Sequence, residues 1–374
     1  MNKQLFTAIS TPLASIFGSG FLVIVPILAG AVGLYSPLAM AVVCAVAFCV
    51  GGVIRFNIRH AEPILADNPP EATLSLERAS DLALVLAYVI SVCLYLHILS
   101  AFVLNGFGVD NILNEDLLTT TVIAIITVIG VTRGLDVLEQ LELRSLLVTL
   151  VIIVLLVSGF AWYDFGVNSS ATWQWPQPVS RTPWEIMTIV GGTLIVVQGF
   201  ETSRYLGAQY PAELRIRSSR GSQIISTVVY IIFVSLAMPI LHTLNGQYDD
   251  NSLITMTAAA AVILVTPLII AAALSQFSAA VADTLAASGN LEELTHEHMK
   301  ERYAYLLIGG GAIALTWSAD TYEILALASR AFAFYYLLQC LVAISVSKSI
   351  PQRFGIGLVA LILAFVTVFA VPAG

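Results

Sequence analysis

Charge is scarce in this chain. Of its 374 residues only 11% are Asp, Glu, Lys or Arg, whereas 58% are hydrophobic and the mean hydropathy is +0.89. Soluble domains carry about a quarter of their residues as charges, so one ordinary water-soluble core is excluded. Cysteine is rare too: Cys44, Cys49, Cys93 and Cys340 all fall in apolar stretches. They read as small apolar residues in helix contacts and argue against a metal site. Histidine offers no ligand set either. His296 and His298 share a charged loop without further ligands, and the lone His97 reads as a satisfied structural residue. No Walker-type loop is present, so ATP does not drive the chain directly. No nucleophile, metal or paired-carboxylate constellation supports an enzyme, and no cofactor is expected. The net charge of -8 gives no basic footprint for nucleic acid.

What is abundant is the long apolar run. Stretches of about 20 residues, apolar on every side, match the length a helix needs to cross roughly 30 Å of hydrocarbon. They lack the alternation of a membrane barrel. The expected fold class is therefore an all-α polytopic membrane protein with about eleven spans: 8–33, 36–55, 81–104, 117–132, 143–163, 184–206, 222–244, 253–285, 303–318, 322–347 and 354–372. The apolar run after the first residues is too long for a cleavable signal peptide, so the first span is expected to remain. With the N-terminus in the cytoplasm, fourteen of the sixteen basic residues lie in cytoplasmic segments; Arg181 and Arg330 are the exceptions. The positive-inside rule then fixes this topology, in the cytoplasmic (inner) membrane.

A Pro-, Ser- and Trp-rich outer connection, Asp164 to Glu185, divides the spans into five before and six after. An odd number before the divider turns the second set upside down. Residues 1–165 and 184–348 are thus expected as inverted repeats, joined by a periplasmic loop at 166–183, with 349–374 as an added span. Spans 1 and 6 each carry a glycine-rich interruption, "IFGSGF" at Ile16 to Phe21 and "VQGFET" at Val197 to Thr202. Interrupted helices at matching places in two inverted halves point to a transporter site near the bilayer midplane.

These residues carry a resemblance. "SIFGSGFLVIVPILAG" resembles the first-span signature of the amino acid/polyamine/organocation (APC) transporter superfamily, and "VVQGFETSRYLGAQYPAELRIRSSRGSQIIST" is similar to its sixth span. The resemblance implies the five-plus-five inverted repeat, often called LeuT-like, with discontinuous helices 1 and 6 and secondary transport by alternating access. It departs in two places: span 2 ends in "GGVIRFNIRHAEPI" rather than an "ALxYAEL"-like run, and Ile195 stands where some members have an aromatic gate. The expected cargo is an amino acid or a related small amine or carboxylate. An inorganic ion, a nucleobase or an osmolyte is the alternative cargo, and a non-transporting membrane subunit the alternative role. Expected partners are the solute and the lipid bilayer, with a second copy of the chain or an accessory membrane subunit compatible with the sequence.

The residues expected at the substrate site are Gly18, Ser19, Gly20, Phe21, Tyr95, Gln198, Gly199, Phe200, Glu201 and Thr202. Backbone groups freed by the breaks can bind a carboxylate or an amine. Glu201 is an intramembrane carboxylate, either a proton-linked gate or a cap on the broken helix, leaning inward to Arg204. Ser275 and Ser278 share one face of span 8, but the adjacent hydroxyl pair typical of sodium-coupled relatives is missing, so protons are favoured over sodium. Arg144 is a candidate coupling cation. Arg330, deep in span 10, needs a carboxylate, a carbonyl or a substrate anion facing it, unless it reaches the outer surface. Asp283 is placed near the inner end of span 8, where water reaches it.

Overall fold

The computed structural model describes residues 3–18, 20–67, 69–109, 111–167, 175–176, 179–295 and 298–372. Among them there is no strand. The helices, in chain order, are α1 (Lys3–Gly18), α2 (Ile24–Val32), α3 (Ser36–His60), α4 (Glu62–Ala66), α5 (Glu71–Gly106), α6 (Ile112–Arg133), α7 (Asp136–Trp162), α8 (Pro183–Gly191), α9 (Thr202–Tyr205), α10 (Ala212–Ala237), α11 (Ser252–Ala261), α12 (Val265–Leu294), α13 (Glu301–Thr316), α14 (Thr321–Val346) and α15 (Ile350–Phe369). Among the described residues eight segments are long and apolar enough to cross a membrane. A helix satisfies its backbone polar groups within itself, which is what hydrocarbon demands.

Side chains serve the helix ends that reach water. Asn111 accepts from the Leu113 amide at 2.9 Å and starts α6. Thr182 with Glu185, and Asp320 with Glu323, form reciprocal capping boxes at α8 and α14. At the centre stands α5, packed against α12, α14, α6 and α13. Of its most apolar stretch 83% is buried, against 22% for α15, so α5 is the internal pillar and α15 lies at the periphery. It also begins at Glu71, ten residues before the expected span.

One expected span is corrected. The run 253–285 is two helices, because Ala261 adopts an extended conformation (φ -161°, ψ 93°) and a 3-10 turn, Val262–Leu264, leads into α12. An unbroken apolar run hides this, since hydropathy does not report a change of direction. Two other spans are interrupted where expected. Between α1 and α2 Gly20 has φ 141°, and between α8 and α9, after a 3-10 turn at Leu194–Val197, Gly199 has φ 120°. Side chains are rarely tolerated there.

The two breaks are packed into each other. A Cβ on Gly20 would come 2.9 Å from Val196 Cγ2, and one on Gly199 would come 2.6 Å from the Ile16 backbone nitrogen. The Tyr230 hydroxyl on α10 spans the junction, 3.1 Å from Ile16 O and 2.8 Å from Val196 O. It thus serves the carbonyl on the entering side of each break, where regular intrahelical donors run out.

Three outcomes follow in thermal unfolding of detergent-solubilised protein. Tyr230→Phe should cost about 1–3 kcal/mol, because buried carbonyls lose a donor. Gly199→Ala should prevent folding, since its methyl group meets backbone, whereas Gly357→Ala, with nothing within 4 Å, should be neutral or stabilise by up to ~1 kcal/mol.

The loop leading into α11 supplies a pH effect. Asp250 accepts from the Thr321 hydroxyl of α14 at 3.1 Å, and burial pushes its carboxyl above the ordinary 3.8. The folded loop then binds the proton more tightly than the unfolded one. Its stability is therefore greatest in acid and declines as pH rises from 3.8 through the raised value. Hydrogen exchange of residues 245–252 should show this slope in the native protein and lose it in Asp250→Asn.

Candidate functional site

The second break is held by named side chains. Ser329 of α14 donates to Gly192 O at 2.6 Å and receives the Ile195 amide at 3.1 Å, bridging the frayed end of α8. Past the turn, the Gly199 amide donates to Glu201 Oε2 at 2.8 Å. The Thr202 hydroxyl donates to Gly199 O and the Ser203 hydroxyl to Phe200 O, each at 2.7 Å. Glu201 is fully buried, and its Oε2 also receives the Tyr336 hydroxyl of α14 at 2.6 Å. Its Oε1 has no hydrogen-bond partner among the described residues. A carboxylate capping the break explains why an acid tolerates this depth.

Aromatic rings pack around the junction. Phe200 stacks on Tyr336 at 5.3 Å, and Phe21 stacks on Phe233 at 4.3 Å beside Tyr230. Gln198 Nε2 donates to the Tyr95 hydroxyl of α5 at 3.2 Å. Beside the junction a cavity of about 190 Å³ opens among α1, α5, α7, α9 and α12. One water takes roughly 30 Å³ in the liquid, so a small solute fits. Its wall offers hydroxyls from Ser15, Thr149, Thr202, Ser275 and Ser278, and a carboxylate, Asp283. The Ser91 hydroxyl of α5 donates to Asp283 Oδ2.

Beside this cavity, at the end of the bundle rich in basic residues, runs an ionic network. Arg204 pairs with Glu77 at 2.5 Å and lies 3.8 Å from Glu62; Arg215 grips Glu62 through both its terminal nitrogens. Gln339 donates to Glu77 at 3.3 Å and Ser80 at 2.8 Å, and receives Asn57 at 2.7 Å. The network ties α3, α4, α5, α10 and α14 to the segment after the second break.

The expected site residues separate into three groups. Thr202, Ser275 and Ser278 line the cavity. Gly20, Phe21, Tyr95, Gln198, Gly199, Phe200 and Glu201 gather in the buried junction above it, and Gly18 sits beneath Ala279 of α12, with 3.1 Å from its would-be Cβ. Ser19 lies outside the described residues, as do His296 and much of the 166–183 loop. Two candidates stand elsewhere. Arg144 is exposed near the start of α7, and Arg330 is exposed on α14, its Nε donating to Thr367 O of α15 at 2.9 Å. A facing carbonyl is one of the partners expected for this guanidinium.

Other expectations also change. Arg204 turns to Glu77 rather than to Glu201. Asp283 is buried within the bundle, on the wall of the cavity. Cys49 is exposed, unlike the other three cysteines. His97 is buried as expected, with Nε2 3.3 Å from Asp116. The sequence reading missed Tyr230, Ser329 and Tyr336, which hold the breaks, and Ser91 with Asp283. Only Asp283 carried a usable signal, since an ionisable residue inside an apolar run is a candidate by default.

Comparison with known proteins accords with this geometry. An uncharacterized protein of Aquifex aeolicus (strain VF5) is 39% identical over 356 residues, covering 94% of this chain and 86% of that one. A crystal structure of a mutant Eremococcus coleocola manganese transporter shares the fold with a TM-score of 0.58 at 12% identity, over 97% of this chain and 85% of the other. The family described as APC superfamily transporter matches residues 1–370, and the chain, a multi-pass membrane protein, belongs to that superfamily.

Proposed function

We propose that the chain is a secondary transporter of the cytoplasmic membrane, moving an amino acid or a related small amine- or carboxylate-bearing solute by alternating access with proton coupling. The observation that carries this reading is the pair of interlocked breaks bordering a hydroxyl-lined cavity. Glycine backbone and hydroxyls can receive a solute's charged main-chain groups without a dedicated side-chain ion. Residues 1–165 and 184–348 act as the two inverted repeats, and residues 349–374 add a peripheral helix. Because the cavity opens at the basic, cytoplasmic end while aromatic rings seal the other, the conformation is inward-facing.

The manganese transporter's fold raises an inorganic ion as the second reading. Transition metals favour carboxylate, imidazole or thiolate donors in number. No group of three or more His, Cys, Asp or Glu suited to a metal ion occurs among the described residues. The cavity wall supplies mostly hydroxyls, which suits an organic solute better. Sodium is also disfavoured, since Ser275 and Ser278 are three residues apart rather than adjacent.

The test is a thermal-shift screen of purified protein with amino acids, amines, nucleobases and manganese, with and without sodium. A solute at 100 times its dissociation constant adds about 2.7 kcal/mol of apparent stability. An amino acid should stabilise the protein independently of sodium, and Thr202→Val should weaken that response roughly tenfold in concentration, about 1.4 kcal/mol. Stabilisation by manganese alone would favour the ion reading. If no compound acts and an accessory protein repeatedly co-purifies, the chain is a scaffold subunit. In proteoliposomes, uptake of the stabilising amino acid should follow an inward proton gradient and ignore a sodium gradient.

A further inference from the structure

Glu201 is poorly placed to exchange a proton with water, because it is fully buried, engaged by the Gly199 amide and Tyr336, and absent from the cavity wall. Another carboxylate has the opposite placement. Asp283 of α12 lines the cavity that opens toward the basic end, and among the described residues it is the only acid in that wall. It is nonetheless buried, with 6% of its surface exposed, and the Ser91 hydroxyl donates to it.

A polar stripe of α5 runs from Ser91 toward the second break. Tyr88, Ser91 and Tyr95 are spaced three and four apart, so they form one stripe along α5. Gln198 Nε2 donates to the Tyr95 hydroxyl at 3.2 Å, so the stripe reaches the second break. At the middle of the stripe the Ser91 hydroxyl donates to the Asp283 carboxylate. Beside it Tyr88 presents a second observation. Its side chain is 1% exposed, it lines the same cavity, and its hydroxyl has no hydrogen-bond partner among the described residues. A protonated Asp283, or a solute in the cavity, can engage it.

We propose that Asp283 is the proton-carrying carboxylate of the transport cycle, exchanging its proton with water in the cavity, with Ser91 and Tyr88 of α5 as the hydroxyls that answer its change of charge. On release the proton passes from the Asp283 carboxyl to cavity water, and the carboxylate left behind is held by the Ser91 hydroxyl. On loading, the carboxyl becomes a donor that can engage the Tyr88 hydroxyl, and the Ser91 hydroxyl is free to turn to Tyr88 O, 3.0 Å away. The titratable groups facing it are Tyr88 and Tyr95 on α5 and Tyr205 across the cavity on the α9 side, while α1 and α7 present hydroxyls. The role in transport rests on the transporter reading above; the exchange of a proton at Asp283 does not.

Infrared titration of the protein in lipid between acid and alkaline pH tests the exchange directly. A protonated-carboxyl band should appear and vanish with pH in the wild type and in the outer-loop variant Asp250→Asn. It should be lost in Asp283→Asn and return in Asp283→Glu, and Ser91→Ala should shift its frequency without removing it. The same proteins in proteoliposomes, given a mixture of the twenty standard amino acids and an internal pH dye, report coupling. Amino-acid-dependent acidification should fall at least tenfold in Asp283→Asn and recover in Asp283→Glu. If the titrating band that persists in Asp250→Asn is left unchanged by Asp283→Asn, or if no such band exists, the proposal is overturned, as it is by unchanged acidification in Asp283→Asn. If the wild type acidifies with no amino acid while the Asp283 band titrates, the amino acid reading fails and the proton site stands.

Discussion

Two carbonyl oxygens, Ile16 O and Val196 O, share one donor, the Tyr230 hydroxyl, and the centre of this membrane protein is organised around that sharing. A broken helix in an apolar interior frees backbone groups that neither lipid nor bulk water can satisfy. Placing the breaks against each other lets one side chain serve both. It also forces glycine at the contact, because Gly20 lies against Val196 and Gly199 against Ser15 and Ile16. Each remaining gap in the second break has its own partner, Ser329, Glu201 with Tyr336, or the neighbouring hydroxyls of Thr202 and Ser203. The unwound backbone is therefore fixed before any solute arrives, which lowers the ordering cost of binding.

That fixed junction divides the molecule. Toward the acidic end, stacked rings and the Tyr95–Gln198 pair fill the space; toward the basic end a hydroxyl-lined cavity remains. The Arg204–Glu77–Glu62–Arg215 network binds the segment after the second break to α5 and α10. Most of its groups are shielded from water, so breaking one pair strands a charge, and the network can hold one conformation against another. The pillar α5 touches all of these parts. Its lower turn carries Glu77, its middle carries Tyr88, Ser91 and Tyr95, and its upper turns carry His97 beside Asp116.

Much of the fold was legible from the sequence, because long apolar runs, the bias of Arg and Lys to one side and the glycine interruptions each have a single physical cause. Gly20 and Gly199 were identified as break residues, and both adopt positive φ. Span 253–285 was misread because a turn inside an apolar run leaves hydropathy unchanged. Site residues were half legible. Glu201 and Gln198 adjoin a visible motif, but Tyr230, Ser329 and Tyr336 lie 34 to 137 residues away from their partners in the second break and reach it only through tertiary packing. Arg330 was singled out for its depth in a run; the sequence could not show that it turns outward to Thr367. Asp283 was set aside near a helix end, although α12 extends on to Leu294 and buries it.

The central claim is that the cavity beneath the interlocked breaks is a solute site open to the cytoplasm. The substitution Ser278→Cys on the cavity wall, in a chain whose four native cysteines are replaced, makes that claim measurable in oriented membrane vesicles. A membrane-impermeant thiol reagent should react with it from the cytoplasmic face, and the amino acid that stabilises the protein should slow the reaction severalfold. Reaction only from the opposite face, or a rate that no solute alters, would contradict the account.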